Sequence, residues 1–242
     1  MGGFLALVYG VVCYVLFFAA FLYSIGFVGS LLVPKGINDG MPVGMVEALV
    51  VNLVVLSIFA LQHSVMARPG FKAMWTKIIP KSIERSTYVL LASLALALVF
   101  WQWRPMPDVI WDLRGTFGGE LLTGLFWFGW LFVLLSTFMI DHLELFGLKQ
   151  VMHRMQNREA PSMKFKMVAF YKFVRHPIML GFIIAFWATP LMTQGHLLFA
   201  LVTTVYILVA LNIEERDLVS DLGDDYVVYQ QKVRMILPFP KK

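Results

Sequence analysis

Charge is what this sequence has least of. Only 14% of its 242 residues are Asp, Glu, Lys or Arg, where a soluble domain carries about 25%. Residues 1–34 hold no charged side chain at all, and 59% of the chain is hydrophobic. That excludes the one or two soluble domains the length would otherwise suit. Cysteine is almost missing too. A single Cys13 excludes an internal disulfide and a thiolate metal framework; its plain reading is a small buried apolar residue. The histidines form no ligand cluster, so no metal is expected. The N-terminus lacks a basic stretch and a short apolar core with a cleavage site, so the first apolar run reads as a retained helix. The strict alternation of a membrane β-barrel is missing as well. No repeat or low-complexity segment appears.

What is present is a series of long apolar runs. Six are bounded by charges and breakers, at about residues 4–33, 46–66, 86–103, 121–140, 177–193 and 196–213. A hydrocarbon core about 30 Å thick needs roughly 17–25 helical residues to cross. The expectation is an all-α polytopic membrane protein with about six transmembrane helices in one domain, 1–242. Residues 177–193 and 196–213, turning at Gln194-Gly195, would make a C-terminal helical hairpin, and an amphipathic tail from Glu214 would lie along the surface. Residues 152–172 are polar and basic, a surface segment. Pro190 alone among the prolines falls near the end of a run.

Lys and Arg fall on alternate loops. Five lie between runs two and three, seven between runs four and five and five in the tail, so 17 of the 20 basic residues share one face. The positive-inside rule places that face, both termini and Lys242 among them, in the cytoplasm. This also explains the net charge of +5 without nucleic acid.

The hairpin carries the chemistry. Folding it back brings Arg175 and His176 to the same surface as Glu214 and Glu215, and charges at that depth are costly unless paired or ligand-bound. The plain alternative is an interfacial salt-bridge cluster with snorkelling side chains. Arg175-His176-Pro177, Gly181, Glu214-Glu215 and the run Leu222-Gly223 to Tyr226 and Tyr229 resemble the isoprenylcysteine carboxyl methyltransferase and phospholipid methyltransferase superfamily of membrane enzymes. One departure is Met179, where that superfamily often has Tyr. The resemblance implies that S-adenosylmethionine binds in a half spanning about 141–234, at Arg175, His176, Pro177, Gly181, Glu214, Glu215, Tyr226 and Tyr229. These groups offer acceptors for a cation and diol, a cation for a carboxylate, and aromatic cover for adenine.

Gln62-His63-Ser64-Val65-Met66-Ala67-Arg68-Pro69, Glu84-Arg85-Ser86-Thr87-Tyr88, Phe100-Trp101-Gln102-Trp103-Arg104-Pro105 and Leu145-Phe146-Gly147-Leu148 narrow this. They resemble bacterial methanethiol S-methyltransferases, relatives of the NnrU-like proteins. The resemblance implies methyl transfer to a small volatile thiol, methanethiol, giving dimethyl sulfide, with hydrogen sulfide a second acceptor in the family, in the bacterial inner membrane. A lipid or prenyl-cysteine acceptor and a non-catalytic membrane protein are the alternatives. A thiol entering from the lipid bilayer must ionise to react. The candidates on the acceptor side are His63, Asp141 and His142, where a carboxylate beside an imidazole would raise a base. Each also has a bland reading: an interhelical hydrogen bond for His63 and a solvated helix end for Asp141-His142. Arg85 could reach the cofactor carboxylate or serve only a local ion pair beside the helix start. The Trp101/Trp103 and Trp127/Trp130 sets read as interfacial belt or core.

Overall fold

The structure, a computed structural model, describes residues 2–158 and 167–238. In chain order the elements are α1 (Gly3–Gly29), α2 (Met45–Ala67), α3 (Pro69–Trp75), α4 (Lys81–Gln102), β1 (Val109–Asp112), α5 (Phe117–Ile140), α6 (His142–Leu145), α7 (Leu148–Met155), a 3-10 turn at Ala169–Lys172, α8 (Pro177–Trp187), β2 (Leu191–Thr193), α9 (Gln194–Leu222) and α10 (Asp224–Lys232). Five of them, α1, α2, α4, α5 and α9, are long and apolar enough to cross a membrane. The all-α polytopic class therefore holds, and this is an integral membrane protein. The chain divides into two compact units, one of residues 2–107 and 141–158 and one of 108–140 and 167–238. Part of the basic segment 152–172, and Lys242, lie outside the described residues.

In the first unit α4 packs on both α1 and α2, and α7 packs along the first half of α1. α1 has 27 residues, about 40 Å of helix, which exceeds the hydrocarbon thickness of about 30 Å. Glycines let α7 approach closely. A Cβ on Gly3 would stand 2.8 Å from Met155 Cα, and one on Gly10 2.6 Å from a Val151 methyl. The opposite end is latched by polar groups. Lys35 Nζ donates to the carbonyls of Trp101 (2.7 Å) and Trp103 (2.8 Å), the last acceptors of α4. Asn52, fully buried, donates to Arg104 O and accepts from Arg104 N, both at 2.8 Å.

In the second unit the fifth apolar run differs from its expected form. It gives only the 11-residue α8, about 16 Å long and half a membrane. The helix stops at Trp187, three residues before Pro190, and the chain continues as β2. Backbone that leaves the helix needs other hydrogen-bond partners. β2 finds them in antiparallel β1, which pairs Val109 with Thr193 and Asp112 with Leu191. Leu113 N donates to Pro190 O, Gln194 N to Asp108 O and Trp111 Nε1 to Thr189 O, at 2.8, 2.8 and 3.1 Å. The reversal thus lies at 188–193. Gln194 already opens α9, capped by Thr193, whose hydroxyl accepts from His196 N. α9 then runs through Glu214 and Glu215 to Leu222, so both carboxylates stand on a helix and not on a tail beyond it. α5 and α8 cross with backbones in contact: a Cβ on Gly129 would lie 2.7 Å from Ala185 N, and one on Gly181 2.9 Å from Gly129 O.

Candidate functional site

The polar centre of the second unit is Glu215. It falls on the α9 face that carries buried Ile207 and Leu211, four residues apart each time. Its Oε1 accepts from Arg175 Nε (2.6 Å), from His176 Nε2 (2.9 Å) and, at longer range, from Tyr226 OH (3.4 Å). Its Oε2 accepts from Arg175 Nη2 (2.7 Å) and Gln230 Nε2 (2.9 Å). The Arg175–Glu215 pair is a bidentate fork with side chains 8% and 11% exposed.

The chain beyond α10 closes this cluster. Arg175 Nη1 donates to Gln230 O at 3.2 Å and also to Val233 O. Arg175 N donates to Arg234 O at 2.9 Å, and His176 N to Met235 O at 3.1 Å. Tyr229 OH donates to Tyr171 O at 2.5 Å. Burial raises all three phenols: Tyr229 to about 12, Tyr226 further with the help of the Glu215 charge, and Tyr171 with the help of Tyr229 and Glu214. They stay protonated at neutral pH, and Tyr226 and Tyr229 act as hydroxyl donors. Pro177 opens α8 at its first position, where the missing N–H is harmless. Gly181 serves the α5–α8 crossing. Glu214, one residue from the hub, is half-buried and makes no hydrogen bond or ion pair among the described residues. Asn212, Glu215, Arg216, Val219 and Gln230 line a shallow depression; Glu214 is not in its lining.

Arg175, His176, Glu215, Tyr226 and Tyr229 thus gather in one cluster, as the hairpin reading expects. Gln230 and Tyr171 join it from outside the sequence motifs. Gln230 had a signal: Tyr226, Tyr229, Gln230 and Val233 fall at i, i+3, i+4 and i+7, one helical face.

The first unit holds the other candidates. Tyr88 OH lies 3.0 Å from His63 Nδ1 and 3.2 Å from its Nε2. Arg85 donates to Leu145 O at 2.8 Å, and its guanidinium carbon sits 5.2 Å over the Tyr88 ring. Asp141 caps α6, accepting from Glu144 N at 3.1 Å, and pairs with Lys149. His142, buried, places Nε2 2.8 Å from Tyr14 OH. Burial holds its imidazole below the ordinary histidine value. This corrects the expectation of a raised base there, because Asp141 is drawn to Lys149 and the α6 amides. In each tryptophan pair one ring faces outward and one is core: Trp101 and Trp127 are exposed, Trp103 and Trp130 buried.

Fold and cluster together define an integral membrane protein whose polar centre is a buried arginine–carboxylate–histidine hub. Comparison with known proteins then places it among relatives. The chain is 55% identical over 242 residues, 100% of its length and 99% of the relative's, to the methanethiol S-methyltransferase of Mycobacterium tuberculosis. It is 52% identical over 236 residues, 98% of this chain and 83% of the relative, to methanethiol S-methyltransferase 1 of Bradyrhizobium diazoefficiens. Mouse Nurim is 32% identical over 175 residues, 69% of this chain and 66% of the relative. The chain belongs to the methanethiol S-methyltransferase family. No family model matches it, and no solved structure does.

Proposed function

We propose that this protein transfers the methyl group of S-adenosylmethionine to methanethiol, giving dimethyl sulfide. The observation that carries the reading is the whole-length similarity to enzymes of that name. S-adenosylmethionine, when bound, supplies a methyl group already activated on a sulfonium.

The second unit fits such a molecule. Glu214 offers carboxylate oxygens not consumed by an ion pair, suited to an ammonium or a ribose diol. Arg216, exposed at the depression that Glu215 and Gln230 also line, offers a cation for a carboxylate. Tyr226 and Tyr229, buried against each other and Val233, brace the cluster from within. Glu215 has another task. Four side chains already use its oxygens, so it holds Arg175, His176 and the α10 segment together. Pro177 and Gly181 set the start and the crossing of α8. Arg85 is held by Leu145 O and Tyr88, and Asp141 by Lys149, so the two imidazoles, His63 and His142, are the groups able to take a thiol proton.

The protein lies in the cytoplasmic membrane with both termini inside. The alternation of basic loops supports this. The test of function is headspace detection of labelled dimethyl sulfide from purified protein given methanethiol and methyl-labelled S-adenosylmethionine. Product formation is expected. Donor binding without product would move the acceptor to a lipid or larger thiol, and absence of donor binding would overturn the reading altogether.

A further inference from the structure

Gln62, His63 and Met66 share one end of α2. Gln62 Nε2 donates to the thioether Met66 Sδ at 3.3 Å. Gln62 Oε1 is buried with no hydrogen-bond partner. Trp75 packs on the cluster formed by Met66, Tyr88 and Val89, and its Nε1–H is likewise buried without a partner. Buried polar atoms in folded proteins are nearly always hydrogen-bonded. An acceptor and a donor both left open around one apolar cluster mark a place for a ligand that can donate and accept weakly. A thiol does both. The Met66 side chain shows what the Gln62 amide tolerates as a neighbour: it ends in a methyl thioether, the functional group of dimethyl sulfide.

We propose that Gln62, His63 and Tyr88 form the binding site for the acceptor's sulfur. Gln62 is the specificity residue, His63 the proton acceptor and Tyr88 the positioning residue. This rests on the thiol-methylation reading above. The thiol donates its S–H to Gln62 Oε1, with its sulfur beside the Gln62 amide that now meets Met66.

Tyr88 fixes the imidazole. Its hydroxyl has one hydrogen and stands 3.2 Å from the main-chain oxygen of His63. Both ring nitrogens lie within 3.2 Å of the same hydroxyl; donating to the main chain, it accepts from whichever nitrogen carries the hydrogen, and the other nitrogen of the neutral ring carries the lone pair. Phe59 stacks on the same ring with centroids 5.3 Å apart, and Arg85 covers Tyr88. The S–H swings from Gln62 Oε1 to the imidazole, its bond breaks, the proton forms an N–H bond at the nitrogen that carries the lone pair, and the bonding pair stays on sulfur as the thiolate. The imidazolium returns its proton to water.

The test uses the purified full chain, methanethiol and labelled S-adenosylmethionine. Gln62→Leu is expected to raise KM for methanethiol about tenfold, with kcat and donor affinity within about twofold, as loss of ground-state binding requires. Tyr88→Phe should lower kcat about tenfold at constant KM. Met66→Leu conserves volume and frees the Gln62 amide, so KM should fall. A merely structural role for Gln62 would shift donor affinity and thermal stability along with KM. If Gln62→Leu does not fold, Met66→Leu decides. An unchanged methanethiol KM in either folded variant of an active enzyme overturns the assignment alone. A wild type that binds donor yet makes no dimethyl sulfide overturns the thiol reading and this site with it.

Discussion

Two adjacent glutamates, one helical step apart, end in different chemistry. Glu215 faces the core and neutralises Arg175. Removing it leaves a buried guanidinium unpaired, a loss of about 3–5 kcal/mol. Glu215→Ala is therefore expected to lower the melting temperature in detergent sharply. Glu214→Ala should melt like wild type and yet fail to bind S-adenosylmethionine by calorimetry; equal donor affinity in Glu214→Ala and wild type would refute its assignment. His142 gives a pH dependence. Burial lowers its folded value below the unfolded one, so the folded state binds fewer protons. Its stability contribution is full above the ordinary histidine range and is lost as pH falls through that range toward the folded value. The melting temperature of wild type should drop more than that of His142→Gln between about pH 7 and about pH 5. Parallel drops would show that His142 does not titrate on unfolding.

At the scale of elements, the α5–α8 crossing and the β1–β2 ribbon explain each other. α8 is short because its apolar run breaks before Pro190, and the ribbon supplies the hydrogen bonds that the missing helical turns would have made. The crossing leaves no room for a side chain. At Gly129 the nearest atoms are backbone and cannot swing aside. Gly129→Ala should cost about 1–3 kcal/mol through overpacking. Gly124, on the same helix, has open space around it, so Gly124→Ala should gain up to about 1 kcal/mol from helix propensity. Thermal unfolding of the two variants side by side checks both signs; a neutral Gly129→Ala would mean that the helices separate freely.

For the whole molecule, the alternation of basic loops makes a statement about orientation. A reporter fused after Lys242 is expected to be active in the cytoplasm, and one inserted in the Arg114–Gly115 turn on the other side. A periplasmic signal from the C-terminal fusion would overturn the topology.

Sequence alone determined the class. A near-charge-free chain with long apolar runs has one stable solution in a bilayer, because each helix satisfies its own backbone within the run. It also placed Arg175 and His176 on the same face as Glu214 and Glu215, since a hairpin returns its ends to one side; of the two, Glu215 makes the contact. Tertiary structure decided the rest. Run length could not reveal that residues 177–193 split into a short helix and a strand, because β2 depends on β1 about 80 residues earlier in the chain. Spacing could not rank Glu214 against Glu215, because the difference is which face of α9 meets the core. Nor could it show Tyr88 on His63 or Tyr14 on His142, 25 and 128 residues apart. Such pairings arise only when separate helices pack, and no local pattern encodes them.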